Sequence, residues 1–137
     1  MADDPDCIFC SIVAGDAPAT IVDEDEHTIA FMDIHPWTRG HALVIPREHH
    51  KNLYEIDDET LGQVMRAAKR LAGRVREELD ADGVNLLNSA ERAAWQTVFH
   101  FHVHVIPRYE DDPLELPVRP QEGDPDEIKQ DAEKLRG

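Results

Sequence analysis

The stretch Val98-Phe99-His100-Phe101-His102-Val103-His104-Val105-Ile106-Pro107 places three histidines two residues apart among large apolar and β-branched side chains. Successive side chains of a β-strand point to opposite faces of a sheet, so the three imidazoles share one face and the apolar side chains share the other. No glycine or proline interrupts the run before Pro107, and its Phe and Val residues favour a strand over a helix. The stretch therefore predicts a β-strand with a row of three imidazoles, which could hold a metal, a nucleophile or a proton relay.

A plainer interpretation of the same stretch is a half-exposed strand whose polar positions happen to be histidines. A lone histidine would most often fit that description. Imidazole titrates near neutrality and is rarely a neutral filler at such density, so we favour a functional role for the row.

Length and charge narrow the classes of protein to consider. The chain has 137 residues, the size of one ordinary domain with a single core. A formal charge of −15 argues against nucleic acid or an anionic membrane surface as partner, because both need a basic face. A small anionic ligand such as a nucleotide remains compatible, since it needs only a local pocket of imidazole and backbone N–H groups. There is no apolar run of bilayer length, and the N-terminus is acidic where a signal peptide would be basic, so we expect a cytoplasmic protein.

The rest of the chain alternates between strand and helix patterns. From Asp57 to Leu79, apolar residues recur at spacings of three and four, which predicts one long amphipathic helix with acidic start signals and Gly83 after its end. The other predicted elements are a short helical or turn segment at 12–18, a strand hairpin at 20–23 and 27–33, and further strands at 41–46 and 83–88. Strands grouped around a single long helix indicate an α+β fold with an antiparallel sheet.

We place one domain in residues 1–110 and an acidic, proline-rich C-terminal tail in residues 111–137. Four prolines from Pro113 to Pro125 make the first part of the tail a poor candidate for regular structure. Asp124 is a suitable N-cap with Pro125 at the first helical position, which predicts a short helix at the C-terminal end.

Three polar residues near strand ends are further candidate functional residues. Asp33 follows an apolar strand, and its carboxylate suits the hydroxyls of a ribose, although a turn aspartate is an equally good interpretation. His41 begins the third strand and could join the cluster or simply be satisfied by solvent. Asn88 ends a strand, where its amide could bind ribose or phosphate.

The two cysteines of the chain, Cys7 and Cys10, are too few and too close for a secreted disulfide framework. A Cys-x-x-Cys pair is typical of a structural zinc site, which normally has four ligands. No cysteine remains, so the other two ligands should be histidines. A redox pair, which lacks the expected βαβ context, and two unpaired thiols are the alternatives.

With these features in place, the chain resembles the histidine triad (HIT) family, whose signature is His-φ-His-φ-His-φ-φ with φ apolar. Residues 100–106 match that signature, and Gln96-Thr97, Gly40-His41 and residues 31–34 also fall where the family has such residues. The resemblance covers roughly residues 6–109 and is closest to bacterial members of the Hint type, small homodimers that bind purine nucleotides. It implies the HIT fold, an antiparallel sheet of about five strands with one long helix, here followed by the short C-terminal helix.

The resemblance also implies separate tasks for the histidines. His102 would be the nucleophile, with the His100 carbonyl accepting its Nδ1 proton. His104 would lie beside the phosphate, where it could stabilise the phosphate oxygens or assist the leaving group, and His41 would complete the catalytic cluster. The ring of His100 and that of His49, for which His50 could substitute, would join Cys7 and Cys10 around a structural Zn²⁺.

By the same resemblance, a nucleotide would contact residues from several parts of the chain. The family places an apolar pocket for the base, a carboxylate at the ribose and polar side chains near the phosphate and leaving group. The expected contacts are Ile8, Phe9, Phe31, Ile34, Asp33, Asn88, Gln96 and Thr97. Apolar residues at such positions are usually core as well, so they do not reveal the base preference.

The implied activity is hydrolysis or transfer at the α-phosphate of a purine nucleotide through a covalent nucleotidyl-His102 intermediate, as in a nucleoside phosphoramidase. Hydrolysis of dinucleoside polyphosphates is an alternative within the same chemistry. Two alternative functions belong to different classes. One is a hydrolase whose three triad histidines hold a catalytic zinc, and the other is a non-enzymatic nucleotide-binding or scaffold protein.

One segment departs from the family pattern. The loop before the triad usually has glycines, commonly one just ahead of the glutamine, but residues 89–95 contain none. Glycine permits a positive φ and a close approach of backbone to phosphate, so its loss argues against a flexible phosphate-binding loop. Trp95 takes the place just ahead of the glutamine, where it could fill the cleft, stack on substrate or pack at a dimer surface.

Overall fold

The computed structural model describes residues 4–137, so residues 1–3 of the predicted domain lie outside the described residues. It is an α+β fold whose five-stranded sheet is antiparallel throughout, in the order β1-β2-β3-β5-β4. The helices are α1 (Ile8–Ala14), α2 (Asp58–Leu79) and α3 (Pro125–Arg136), and a 3₁₀ turn spans Arg92–Ala94. The strands are β1 (Ile21–Glu24), β2 (Thr28–Met32), β3 (Ala42–Pro46), β4 (Gly83–Leu87) and β5 (Val103–Arg108). The predicted fold class is confirmed.

The two faces of the sheet are covered by different helices. Helix α2 packs on one face, against a core cluster that includes Val44 and Val105. Helix α1 packs on the other face, against a cluster that includes Leu43 and Ile45. All five residues of β3 are buried, and the side chains of residues 42–45 alternate between the two clusters, which explains the uninterrupted apolar sequence.

Helix α2 begins and ends for local reasons. The carboxylate of Asp57 accepts the N–H of Thr60, and the acidic residues that follow favour the positive end of the helix dipole. The helix ends at Asp80, which adopts the left-handed conformation with φ 56°. Gly83 lies beyond this end, as expected from the sequence, and begins β4.

Strand β5 is shorter than the sequence suggested. Hydrogen-bonded pairing begins at Val103, so His100 and His102 precede the strand, where the backbone of Phe101 bonds instead to the His50 carbonyl (2.7 Å). The alternation of side chains nevertheless persists. Phe101 and Val103 pack in the cluster under α2, while the three imidazoles lie on the opposite side.

Helix α1 starts at Ile8, earlier than the predicted segment at 12–18. The Sγ atom of Cys7 accepts the N–H of Cys10 (3.3 Å), so a cysteine takes the N-cap position, and Gly15 ends the helix in the left-handed conformation. This early start brings both cysteines into the buried cluster between α1 and the sheet.

The predicted C-terminal helix is confirmed as α3, with Asp124 as N-cap and Pro125 in the first turn. None of its residues is buried, and residues 112–124 before it form no helix or strand. The boundary that we set between domain and tail at residue 110 stays a prediction. No helix among residues 4–137 combines the length and apolarity needed to cross a membrane.

Gly40, next to His41, gives a test of how tightly the loop before β3 is held. Its φ is +87°, and a Cβ there would lie 2.5 Å from Leu79 Cδ1 and 3.3 Å from Pro107 Cγ. We expect Gly40→Ala to lower the free energy of unfolding by about 2 to 4 kcal/mol, from left-handed strain and overpacking together.

The matched control is Gly73→Ala inside α2, where a Cβ would meet nothing within 4 Å. Alanine there should raise the free energy of unfolding by about 0.5 to 1 kcal/mol. It reduces the conformational entropy of the unfolded chain and has a higher helix propensity than glycine. Urea unfolding of both variants measures the two changes. Equal effects would contradict the steric account of Gly40.

Candidate active site and metal centre

A cavity of about 490 Å³ opens on the face of the sheet that α1 covers. Its walls are mostly apolar and come from α1, β2, the loop after β2 and the loop before β5. Nine of the residues singled out in the sequence line it: Ile8, Phe9, Phe31, Asp33, Ile34, Trp95, Thr97, His102 and His104. A ligand with a planar apolar part and a polar end would therefore complement the residues that line this cavity.

His102 is held in one tautomer by its surroundings. Its Nδ1 lies 2.7 Å from the His100 carbonyl oxygen, which can only accept, so Nδ1 holds the proton and Nε2 keeps a lone pair. Burial lowers the pKa of His102, opposed by this hydrogen bond and by Asp33. The ring of Phe9 packs edge-on against it, with centroids 5.2 Å apart. Neutral and rigidly placed, His102 meets the requirements of a nitrogen nucleophile.

His41 and His104 form a hydrogen-bonded chain with a fixed direction. The backbone N–H of Trp37 donates to His41 Nδ1 (3.0 Å), so the proton of a neutral His41 is on Nε2. That proton points at His104 Nδ1, 2.9 Å away, which leaves the His104 proton on its own Nε2. Burial is the main cause that lowers the pKa of both rings, that of His104 to about 4. Near neutral pH the chain thus presents an N–H donor from His104.

The ring of Trp37 supports this chain, a contact that sequence reasoning missed. It stacks on His104, with centroids 5.5 Å apart and planes 19° from parallel, and meets His41 edge-on at 5.3 Å. The loop that holds Trp37 is tied down where Thr38 donates to the Pro107 carbonyl (2.6 Å) and Tyr109 donates to the Arg39 carbonyl (2.8 Å). An aromatic residue in a loop has no periodic pattern, so nothing local in the sequence marked it.

Asp33 satisfies both interpretations of its sequence position. Its Oδ1 accepts the N–H of His35 (2.8 Å), the bond of a turn aspartate. Its Oδ2 lies 3.5 Å from His41 Nε2, and the residue also lines the cavity. The carboxylate can therefore face a ligand while it holds the loop after β2.

Asn88 and Gln96 lie outside the cavity lining and bond to backbone groups. The Asn88 amide donates to the His102 carbonyl (2.8 Å), which supports the nucleophile from behind. The Gln96 side chain is buried, accepts from the Glu91 N–H (2.8 Å) and donates to the carbonyls of Lys51 and Val98. These bonds favour positioning roles for both residues, and direct contact with a nucleotide stays a prediction.

The loop without glycine adopts glycine-like backbone angles all the same. Glu91 has φ 76° and ψ 162°, and Trp95 has φ 77° and ψ 20°. Such conformations cost of order 1–3 kcal/mol each and persist only where the surroundings impose them. Here the Gln96 side chain and the bond from Asn52 Nδ2 to Glu91 Oε2 (2.8 Å) hold the turn. Hydrogen bonds thus impose positive φ angles without glycine, and the expectation that this segment is not a flexible phosphate-binding loop stays a prediction.

A second cluster lies beside the first. Cys7, Cys10, His49 and His100 bring four ligand atoms within 4.8 Å of one another. The Cys10 Sγ to His49 Nδ1 distance is 3.3 Å, Cys7 Sγ to His100 Nδ1 is 3.4 Å, and the two Nδ1 atoms are 3.2 Å apart. His50 is excluded from this set, since its Nε2 faces Glu48 (3.1 Å) and Asp57 (3.6 Å).

The donor set fits a tetrahedral zinc ion. His100 Nε2 donates to the Pro46 carbonyl (2.9 Å), so its Nδ1 faces the cysteines as a lone pair. Burial lowers the pKa of this ring to about 4. Bonds of about 2.3 Å to sulfur and 2.0–2.1 Å to nitrogen put tetrahedral ligand atoms roughly 3.3–3.8 Å apart, close to the spacings seen. Lone pairs converging in a buried site favour a cation, and the cluster is compatible with zinc.

The geometry also bears on the catalytic-zinc rival. Among the described residues, the candidate metal groups place His100 in one cluster and His104 in another, with Asp33 and His41, and neither group contains His102. An ion in the second group would have to replace the Nε2 proton of His41, because the Trp37 N–H already occupies its Nδ1. The structure thus divides the triad rather than gathering it around one metal.

Comparison with known proteins agrees with the fold. The HIT domain family matches residues 14–111. "Protein hit" of Bacillus subtilis (strain 168) is 50% identical over 103 residues, which cover 75% of this chain and 71% of the relative.

Solved structures give the same result. A crystal structure of a HIT family member from Bacillus subtilis has a TM-score of 0.87 and 40% identity, covering 96% of this chain and 95% of that one. A zinc-bound histidine triad family protein from Mycobacterium smegmatis has a TM-score of 0.78 and 44% identity, covering 85% and 84%. From the matched domain and these identities, the chain is a member of the HIT family.

Proposed function

We propose that the protein hydrolyses conjugates of purine nucleoside monophosphates, phosphoramidates above all, through a nucleotidyl-His102 intermediate. The observation that carries the proposal is the bond from His102 Nδ1 to the His100 carbonyl, which leaves the lone pair of Nε2 available at an apolar cavity. The anionic oxygens of a phosphate ester repel an anionic nucleophile, so a neutral imidazole held in place has the advantage. Membership of the HIT family supports the same class of substrate.

The reaction proceeds in two displacements. In the first, the Nε2 lone pair of His102 forms a bond to the α-phosphorus, the P–N bond to the leaving amine breaks, and the amine keeps that electron pair and takes a proton from solvent. In the second, a water oxygen bonds to phosphorus, the pair of the N–P bond returns to Nε2, and the proton of the water passes to solvent. Throughout, His102 Nδ1 keeps its proton and donates it as a hydrogen bond to the His100 carbonyl, which stabilises the imidazolium of the intermediate.

The neighbouring groups serve this reaction without changing their own charge. His104 donates its Nε2 proton as a hydrogen bond to a phosphoryl oxygen, since His41 occupies its Nδ1. The base lies among Phe9, Phe31 and the exposed side chains of Ile8 and Ile34, and Asp33 accepts from the ribose. Thr97 lies near the leaving group.

We also propose that Cys7, Cys10, His49 and His100 hold a structural zinc ion. When bound, the ion would supply a cross-link between α1 and the segment that precedes β5, with no part in the chemistry at phosphorus. The cluster geometry and the zinc-bound relative support this assignment. Because the ligand His100 also provides the carbonyl behind His102, the zinc site would stabilise the placement of the nucleophile.

We propose that the protein is cytoplasmic. We also propose that it forms a homodimer through β4. Among the described residues, β4 pairs only with β5, and it exposes Val84 (40%) and Leu86 (41%) on one of its faces. The opposite edge, β1, is protected by a register shift and by Asp23, which binds Arg70. Joining β4 to its copy would continue the sheet across the interface.

His102→Ala tests the proposed nucleophile. With an adenosine phosphoramidate as substrate, we expect kcat to fall by about three orders of magnitude or more, because no covalent intermediate can form, while AMP still binds. Mass spectrometry after brief exposure of the wild type should map an adenylate to His102.

His27→Ala is the matched control, since its half-exposed ring lies outside the cavity lining. It should turn over like the wild type. Undiminished turnover by folded His102→Ala would contradict the mechanism, and AMP binding with no turnover or adduct from several nucleotide donors would favour a non-enzymatic binding protein.

Zinc content and stability test the metal assignment. We expect about one zinc per chain by elemental analysis, and a chelator should lower the Tm by about 10 °C or more because a cross-link is lost. Cys10→Ser should lose the zinc, whereas His50→Ala should keep it. A chelated protein that stayed folded but lost all turnover would instead support catalytic zinc.

Leu86→Lys tests the dimer. The charge should prevent burial of the β4 face and yield a monomer in sedimentation velocity. Ile21→Lys is the control, because Ile21 is similarly exposed (44%) on the other edge strand, and this variant should remain a dimer. A monomeric wild type, or equal dissociation of both variants, would refute the proposed interface.

A further inference from the structure

We propose that Trp95 binds an aromatic leaving group, so that the preferred substrates are nucleotide conjugates whose leaving amine has a flat ring. The proposal rests on the proposed function, because it assigns the second half of the substrate to the same site. It follows from the placement of Trp95, from the bonds that hold it there, and from the two phenylalanines that line the same cavity from another side and can bind the nucleoside.

Trp95 belongs to the wall of the cavity that contains His102 and His104. Trp95 is 65% exposed, so much of its large apolar side chain is in contact with solvent at the mouth of the cavity. It lies two residues before Thr97, which lines the same cavity. A ring in this place offers an open face to whatever the cavity binds.

The backbone of Trp95 shows that its placement is imposed. The φ of 77° puts a tryptophan in the left-handed region, which side chains other than glycine rarely adopt. The Trp95 N–H donates to the Arg92 carbonyl (2.9 Å), and the next residue, Gln96, is locked by three side-chain hydrogen bonds. Strain of this kind clusters where a precise position matters for binding. Because the loop is held on both sides of Trp95, stacking on its ring would cost little ordering of the backbone.

The nucleoside already has its own aromatic wall. Phe9 and Phe31 meet edge-on, with centroids 5.4 Å apart, and both line the cavity from the side of α1 and β2. Trp95 comes from a different element, the loop before β5. A substrate with its phosphorus at His102 has two arms, the nucleoside and the leaving group. The two phenylalanines contact the nucleoside, so Trp95 is available to contact the leaving group.

The chemistry of the ring defines the class of leaving group. Indole offers a broad face, and aromatic pairs gain about 0.5–1.5 kcal/mol beyond their buried area, which corresponds to about 2- to 13-fold in a rate or binding constant. A saturated ring of similar size gains the burial but lacks this extra attraction. Discrimination between a planar and a saturated amine therefore reports on Trp95.

The test compares two adenosine 5′-phosphoramidates, one of benzylamine and one of cyclohexylmethylamine. The wild type should prefer the benzylamine conjugate by about 3- to 10-fold in kcat/KM. Trp95→Gly should bring that ratio close to one, and it removes the ring while relieving the backbone strain, so folding is preserved. Trp95→Phe should keep most of the preference. A ratio for one protein is unaffected by differences in the active fraction of each preparation.

AMP, the product without a leaving group, separates the two arms. Its Kd by calorimetry should be the same within about 2-fold in the wild type and Trp95→Gly, since neither complex contains the arm that Trp95 binds. Weaker AMP binding in Trp95→Gly would mean that Trp95 contacts the nucleoside, and an unchanged substrate ratio would mean that it contacts neither arm. Either result overturns the inference.

Failure of this inference differs from failure of the proposed function. If the wild type hydrolyses both conjugates and forms the His102 adduct without preferring the aromatic amine, only the role of Trp95 is wrong. If it hydrolyses neither and forms no adduct, the proposed activity is wrong. Dissociation of the dimer by Trp95→Gly with an unchanged ratio would make Trp95 a subunit contact and overturn the leaving-group role.

Discussion

His100 is the residue on which the two halves of the site depend. Its carbonyl accepts the Nδ1 proton of His102, and its ring faces the two cysteines while Nε2 donates to the Pro46 carbonyl. Backbone and side chain of one residue thus take part in two different clusters. The bond to His102 requires a particular orientation of the peptide after His100, and the ring contacts secure that orientation from the other side. Disturbing the Cys and His cluster would therefore also disturb the tautomer of His102.

The sheet makes this arrangement possible because both of its faces are covered. Phe101 and Val103 are anchored under α2, so the residues between and beside them must project to the face where α1 lies. Burial on that face keeps the imidazoles neutral, since desolvation is the leading cause that lowers the pKa of each triad ring. The same packing that stabilises the fold thus sets the protonation states that the proposed chemistry needs. The formal charge of −15 has little influence here, because Asp33 is the only acidic side chain among the described residues that line the cavity.

The loop before β5 shows how tertiary contacts replace a local preference. Glycine usually supplies positive φ angles, yet Glu91 and Trp95 adopt them here. Asn52 and the side chain of Gln96 provide the hydrogen bonds that hold the loop in this shape. Both partners are buried, which makes their bonds costly to break. This loop, which has no glycine, places an aromatic ring in the wall of the cavity.

Much of the fold and part of the site follow from sequence patterns alone. The alternation of side chains in residues 98–107 is a local property, so the sequence predicted that the imidazoles share one face. The apolar spacings of three and four after Asp57 are also local, so the long helix was predictable as well. Motif spacing nominated Cys7 and Cys10, and likeness to the family added His49 and His100. The start of β5 at Val103 and the early start of α1 were not predictable, because strand pairing and a cysteine N-cap depend on residues distant in the chain or on unusual cap chemistry.

The sequence by itself thus determined which residues share a face and which chemical groups are available. Only the tertiary structure decided how those groups pair: His100 with the cysteines, His102 with a carbonyl, and His104 with His41 and the Trp37 ring. The physical reason is range. Periodicity is set by the geometry of neighbouring peptides, whereas a tautomer is set by whichever donor or acceptor the fold brings within about 3 Å.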